Sequence, residues 1–535
     1  MFPPLIQSML RPEFYFHPVV EPIQLIQTHI SYVLLTGEYA YKIKKPVNFG
    51  FLDFSTLEQR RHFCQEELRL NRRLSPKLYL AVLPIAATPH QHSLPFRLLP
   101  ALESSRADIV EYTVQMRQFS QDTLFSRMLA KGELSAAHMR TLGECVASFH
   151  LSARTDEEVR RFGSPEMIRT VVEENYMAMI PYLDRIQTSN QFQQTRAFMD
   201  RFLGEHADWF RQRQEQGKIR ECHGDLHLNN VCLYEDQIQI FDCIEFNEKF
   251  RNIDGMYEIA FMVMDLDFQG RRDLANVFLN TYLEHTGDYW GAVLLPFYCS
   301  LRASIRAEVS SFLLDDPDVP PEEKEQAQRR AAAYCKLAWS YTQPRRGSLI
   351  LMSGLSGSGK TTVARWLAQK IGAIHLRSDA IRKHIAGVPL YGKGTASGEY
   401  ETGIYTPEMT RQTYARMLEL GIFLARQGLT VVLDAKYDRQ EYRSAVISQA
   451  KTYGIPLRIF YCTAPLEILR QRLQARTRDI SEAKASLLAY QQRIAEPFTE
   501  SEQAYVSILD TSQDWEKQLL EIIQDWISPG CYSPR

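Results

Sequence analysis

Residues 222–231 read CHGDLHLNNV, in which His223-Gly224-Asp225 is followed by Asn230 at the fifth position after the aspartate. The spacing H-x-D-x-x-x-x-N suits phosphoryl transfer: the aspartate receives or orients the proton of an attacking hydroxyl, and the asparagine oxygen holds Mg²⁺. A second metal-binding carboxylate is available from Asp242, at the end of the strand-like run QIQIFD. A lysine fixed by a glutamate must then hold the nucleotide's α/β-phosphates. YAYKIKKPV offers Lys42 or Lys44, on the same face of one strand, and EQRRHFCQEELRLNRRL offers Glu67 as the partner. Lys44 and Lys45 also fit a charged edge strand.

A second set of residues points to a nucleotide by a different route. Gly354-Leu355-Ser356-Gly357-Ser358-Gly359-Lys360-Thr361 fits G-x-x-x-x-G-K-[ST] at every fixed position. It follows the apolar strand LILMS and, with Thr362, opens a helix, so its amides and the helix N-terminus converge on phosphate oxygens. Lys360 would reach the β/γ-phosphates and the Thr361 hydroxyl would hold Mg²⁺. Asp379 and Arg382, in RSDAIRK, follow the next strand. There a carboxylate can take an acceptor's proton and an arginine can clamp an anion. Asp434 closes the strand VVLDA and suits a water-mediated Mg²⁺ position. Arg470, Arg472, Arg476 and Arg478 lie in LRQRLQARTRD, where Arg472 and Arg476 fall one helical turn apart. Each of these also fits a plain helix cap or a solvated helix face.

These residues need scaffolds. Residues 28–49 alternate β-branched and aromatic residues around Thr36-Gly37-Glu38, which predicts a hairpin. Ser55 and Glu58 form a Ser-x-x-Glu box that predicts a helix from there to about Arg73, with Pro76 beyond it. Strands are expected near 79–86 and 110–117, and helices from Ser135 to about 213, where Met139, Leu142, Val146 and Phe149 share a face. A strand–loop–strand is expected at 219–243, then helices to about 313. The acidic, proline-bearing stretch DDPDVPPEEKEQ marks a change. Beyond it SLILMSG, AIHLRS, LTVVLDA, LRIFYCT and YVSILDT alternate with helical segments, predicting a five-stranded parallel sheet covered on both faces. The expected domains are 1–313 and 347–535, joined by a polar linker and connecting helix over 314–346.

The bulk numbers fit a multidomain globular chain: 535 residues, 45% apolar, 24% charged, net charge −2. That balance gives no general attraction to nucleic acid or anionic membrane. Nine cysteines without metal-ligand spacing read as reduced thiols. With no signal-peptide pattern and no long apolar run, the chain is expected to be soluble and cytoplasmic.

On CHGDLHLNNV and IFDCIEF, with ASFH and Asp254 in RNIDGMYEIA as further support, residues from about 20 to 310 resemble the aminoglycoside phosphotransferase/choline kinase family. The resemblance implies an α+β protein-kinase-like fold, with Asp254 bracing the catalytic loop. On GLSGSGKTT, SDAIRK and the arginine-bearing segment, the C-terminal half resembles P-loop small-molecule kinases: gluconate-kinase-like enzymes, zeta toxins and polynucleotide kinases. There it implies an arginine-bearing lid over the phosphates. Together they resemble a bacterial fusion of the two. The implied activity is ATP- and Mg²⁺-dependent transfer to a hydroxyl of a small molecule such as a sugar or sugar acid, at one or both sites. Two alternatives stand beside it: a 5′-hydroxyl nucleic-acid kinase in the P-loop half, or a non-catalytic ATP-binding half that regulates the other. Arg302 and Arg306, one turn apart in YCSLRASIRAEVS, are candidates for an anionic acceptor or for structural ion pairs.

Overall fold

The structure is a computed structural model that describes residues 2–50, 52–88, 95–100, 108–392, 403–475, 480 and 488–524. The chain divides into two compact units. The first comprises Met1–Ser135, Phe149–Met177 and Asp200–Asp265; the second comprises Ala136–Ser148, Ala178–Met199 and Leu266–Arg535.

In the first unit six antiparallel strands lie in the order Gln24–Gln27, Ser31–Leu35, Tyr39–Lys44, Ile109–Arg117, Tyr79–Ala87 and Phe96–Leu98. The expected hairpin is present: Leu35 pairs with Ala40, and the Thr36 amide closes the turn on the Tyr39 carbonyl at 2.9 Å. Strand periodicity sorts the residues of Tyr39–Lys44. Tyr41 and Ile43 join the apolar core with Leu34, Leu83 and Ile85. Lys42 and Lys44 therefore point to the opposite face, where helix Leu57–Asn71 packs. This strand is interior to the sheet, so the charged-edge reading of Lys44 is corrected: its side chain is 1% exposed.

The helix cap is one residue later than expected. Thr56, not Ser55, is the N-cap, and Gln59, not Glu58, completes the box. The Ser55 amide is instead taken by Asp53 Oδ1 at 2.9 Å. Further on, Ile219–Glu221 pairs with Asn252–Asp254, and Val231–Tyr234 pairs with Gln237–Ile240. The two-residue loop of the latter hairpin, Glu235-Asp236, has positive φ at both residues, the twist a tight hairpin favours.

In the second unit five parallel strands lie in the order Ile374–Arg377, Thr430–Asp434, Ser348–Ser353, Leu457–Thr463 and Val506–Asp510. Ile350, Met352, Val432 and Phe460 of the sheet pack against Val363 and Leu367 of helix Lys360–Ile371. The first strand in sequence is central, so the chain winds to both sides of it. That arrangement opens a crevice at its carboxyl end. Helix Arg272–Thr286 serves the outer strand. Asn280 Oδ1 accepts the His375 amide at 2.8 Å, and the Asn276 and Asn280 side chains each donate to the Ala373 carbonyl at 2.9 Å. Helices Leu295–Asp315 and Pro321–Tyr341 pack together in this unit, so residues 314–346 run through it. Among the described residues no helix is long and apolar enough to cross a membrane.

Candidate active sites

In the first unit the loop after strand Ile219–Glu221 carries His223 to Asn230. Gly224 sits at φ +90°, and a Cβ there would lie 2.7 Å from the Phe250 carbonyl oxygen, so only glycine fits. Glu258 accepts the amides of His223 at 2.7 Å and Gly224 at 3.0 Å, and Asp265 accepts that of Leu228 at 3.0 Å. The brace on the loop amides is thus Glu258, four residues past the expected Asp254. Asp254 instead forms a buried two-point pair with Arg213, at 2.5 and 2.6 Å. Glu258 lies inside the stretch that drew attention to Asp254, but nothing local in the sequence separates the two.

The ring tautomers follow from the bonds. His223 Nε2 donates to the Phe241 carbonyl at 2.9 Å, so its Nδ1 accepts the Asp225 amide at 3.3 Å. Burial lowers the His223 pKa to about 4 despite the nearby Asp225 charge, which keeps this ring neutral near pH 7. His227 Nδ1 accepts the Asn229 amide, so its Nε2 donates to Asp225 Oδ2 at 3.2 Å. Asn230 Nδ2 donates to the same oxygen at 2.9 Å and to the Asp225 carbonyl at 3.0 Å. Two donors thereby fix a carboxylate whose side chain is 34% exposed.

Asp242 arrives alongside. Its strand ends at Ile240, and the Phe241 amide bonds the Asn230 carbonyl at 3.0 Å, tying the two segments together. Asp242 adopts φ +64°, uncommon outside glycine, and its amide is held by Tyr79 Oη at 3.2 Å. Lys42 Nζ lies 2.5 Å from Asp242 Oδ1 and 2.8 Å from Glu67 Oε1. Burial works to lower the Lys42 pKa, but the charges of Asp242 and Glu67 override it and raise it well above the ordinary lysine value. Lys44 Nζ bonds Glu67 Oε2 at 2.7 Å and also Glu245. Burial raises the Glu245 carboxyl, whereas at Glu67 the two ammonium groups outweigh burial and hold the carboxyl low. The sequence thus offered two lysines for one role. Lys42 meets the Asp242 carboxylate, and Lys44 is enclosed with Glu67 and the unanticipated Glu245.

Oxygen donors on Asn230 and Asp242 suit a hard cation such as Mg²⁺. Asn230 commits its amide nitrogen to Asp225, leaving its oxygen as an acceptor. Among the described residues no group of three His, Cys, Asp or Glu side chains could hold a metal by itself. Phosphate oxygens would have to complete such a site, the usual arrangement for Mg²⁺.

In the second unit the glycine-rich loop joins strand Ser348–Ser353 to helix Lys360–Ile371 at the crevice. Gly354 has φ +135°, and its amide bonds the Lys436 carbonyl at 3.0 Å. Lys360 Nζ donates to the Leu355 carbonyl at 2.8 Å, and Thr361 and Thr362 follow in the first turn. Two supports escaped the sequence reading. Gln491 Oε1 accepts the Ser356 amide at 3.1 Å, and Thr511 Oγ1 donates to the Ser358 carbonyl at 2.9 Å. Arg472 reaches the same place: its guanidinium bonds Thr511 Oγ1 at 2.8 Å and the Thr511 carbonyl at 2.7 Å. Arg476 and Arg478 lie outside the described residues.

Asp434 is 4% exposed and accepts His375 Nε2 at 3.1 Å. Burial alone would raise its carboxyl pKa, but the His375 bond and the charges of Arg377 and Lys360 bring it to about 2. An ionised oxygen donor beside the loop, with the Thr361 hydroxyl, fits a Mg²⁺ position. Asp379 and Arg382 share helix Ser378–Ile385, where Asp379 is half-buried. Arg382 is buried, with Nη1 on the Ile404 carbonyl at 3.2 Å and Thr410 Oγ1 at 3.1 Å. Its other edge is different: Nε has no hydrogen-bond partner among the described residues. Arg302 is buried in helix Leu295–Asp315, and Arg306 lies 5.8 Å from the Tyr334 ring centroid.

Residues 349–498 match the AAA domain family. An uncharacterised protein of Mycobacterium tuberculosis is 27% identical over 478 residues, covering 88% of this chain and 90% of its own length. A crystal structure of a sugar kinase from Janibacter aligns with 36% of this chain and all of its own, at 23% identity and a TM-score of 0.27. A choline/ethanolamine kinase family protein from Mesorhizobium loti aligns with 63% of this chain and 99% of its own, at 10% identity and a TM-score of 0.37.

Proposed function

We propose that the chain is an ATP-dependent phosphotransferase with two nucleotide sites, moving the γ-phosphate of ATP to hydroxyl groups of small molecules such as sugars or sugar acids. The observation that carries this reading is Lys42, which touches Glu67 and Asp242 at once, with the Asp225–Asn230 pair tied to the segment bearing Asp242. An ammonium between those carboxylates holds the α/β-phosphates. Magnesium, when bound through Asn230 and Asp242, neutralises charge on the phosphate oxygens.

The acceptor's hydroxyl then lies against Asp225. As its oxygen bonds phosphorus, the proton passes to the Asp225 carboxylate, and the bond from phosphorus to the departing ADP oxygen breaks. His227 and Asn230 hold Asp225 Oδ2, so the carboxylate needs little reorganisation. In the second unit the loop amides wrap the phosphates, and Lys360 exchanges the Leu355 carbonyl for a phosphate oxygen. Asp379 is the candidate base and Arg382 the candidate acceptor clamp. A cytoplasmic setting, where ATP is available, goes with this reading.

The test is phosphate transfer from γ-labelled ATP into a bacterial metabolite extract, with wild type beside Asp225→Ala and Lys360→Ala. Loss of a catalytic acid–base lowers rate by ~10²–10⁴. Each variant is expected to abolish a different labelled product. Transfer that survives both substitutions would refute the assignment.

A further inference from the structure

Behind Asp434 stands a line of buried charge that begins outside the segment matching the AAA domain family. Helix Arg272–Thr286 carries Glu284, whose Oε1 bonds Arg377 Nη1 at 2.7 Å. Arg377 is the last residue of the outer strand and pairs in register with Asp434 on the neighbouring strand. Its Nε stands 4.0 Å from Asp434 Oδ2, beyond hydrogen-bond length. Both side chains are enclosed: Arg377 is 4% exposed and Glu284 16%. One guanidinium therefore lies between two carboxylates and is hydrogen-bonded to the one farther from the glycine-rich loop. Asn276 and Asn280 of the same helix fix its distance from the strand.

A guanidinium prefers a two-point fork onto a carboxylate, and Asp434 is within reach of one. Such a fork would occupy the oxygens that a cation needs. We infer that Glu284 is a positioning residue for the P-loop site: by engaging Arg377 it keeps the guanidinium from closing on Asp434 and leaves that carboxylate for the magnesium ion accompanying a nucleotide's phosphates. This rests on the reading that the P-loop binds a magnesium–nucleotide. His375 holds the Asp434 carboxylate in place, and Glu284 keeps it available.

The test is ATP binding by calorimetry, with and without Mg²⁺. It uses the full chain carrying Lys42→Met to silence the other site, with Lys360→Ala added as the blank. Glu284→Gln keeps the side chain's volume and removes its charge. It is expected to leave magnesium-free affinity unchanged and to cut the magnesium enhancement about tenfold or more, as loss of a supporting partner does at metal sites. Glu284→Gln/Arg377→Gln, which frees Asp434 from the competing cation, is expected to recover the enhancement. An unchanged enhancement in Glu284→Gln, an equal loss with and without Mg²⁺, or no recovery in the double variant would each overturn the inference. Should Glu284→Gln fail to fold, Glu284→Asp takes its place: its shorter carboxylate draws back from Arg377, so the enhancement is expected to fall and to return when Arg377→Gln is added, and an unchanged enhancement is contrary. Absence of ATP binding in the parent chain would instead strike the P-loop reading itself, and this inference with it.

Discussion

Glu67 is shared by two lysines of one strand, and its contact with Lys42 at 2.8 Å is the one that continues to the Asp242 carboxylate. Lys44, on the other oxygen at 2.7 Å, continues to Glu245 instead. Two residues apart on one face, the lysines have separate partners beyond Glu67, and substitutions separate them. Lys42→Met is expected to weaken ATP binding at the first site sharply and to cost less stability than Lys44→Met, because Glu67 keeps Lys44 and the Asp242 side chain is 47% exposed. Lys44→Met leaves Glu245 without its cation and removes one of the two at Glu67, which costs about 3–5 kcal/mol for a broken buried pair. Urea unfolding and ATP titration on both variants check this, and the reverse pattern would reassign the phosphate-binding lysine.

Glu258 accepts two loop amides that a neutral side chain cannot hold as strongly. Glu258→Gln is expected to lower stability by about 2 kcal/mol, the scale of hydrogen bonds to a charged group. It should also slow transfer at the Asp225 site with little change in the P-loop product. Equal slowing of both products would contradict this separation.

The His223 ring gives a pH signature. Its folded pKa is about 4 against an ordinary value of 6.5, so between these values the unfolded chain binds the proton and the folded chain does not. The contribution is fully present above pH 6.5, fades as pH falls toward 4, and amounts to on the order of 3 kcal/mol. Urea midpoints across that window should drop more steeply for the wild type than for His223→Gln. Parallel curves would exclude the depressed value.

At Gly354 a Cβ would lie 2.3 Å from the Cys462 carbonyl oxygen, on a backbone at φ +135°. Gly354→Ala is therefore expected to displace the start of the loop, cost about 1–3 kcal/mol in backbone strain, and abolish ATP binding at this site. Calorimetry with Lys42→Met in the background reads the loss directly.

Much of this was legible because it is local. The HGD loop with its asparagine and the glycine-rich loop are single stretches whose spacing is the signal. Lys42 and Glu67 could be paired because a strand with alternating faces precedes a capped helix. The cap itself slipped by one residue because Ser55 and Thr56 are both cap formers, and Asp53 had already engaged the Ser55 amide. What could not be read were partners brought in from afar. Glu245 reaches Lys44, Glu258 replaces Asp254 as the loop's brace, Thr511 meets Arg472, and Glu284 meets Arg377. Each is a plausible surface carboxylate or hydroxyl by its neighbours in sequence, and only tertiary packing gives it a role.

The asparagines of helix Arg272–Thr286 have a consequence for how the chain is made. They occupy the outward amide of His375 and carbonyl of Ala373, groups that on a bare outer strand would invite another chain to pair. A fragment beginning at residue 347 would leave these two groups of the outer strand without the asparagines that bond them. In the intact chain the helix precedes the strand, so during synthesis it leaves the ribosome first and waits for the strand it will shield.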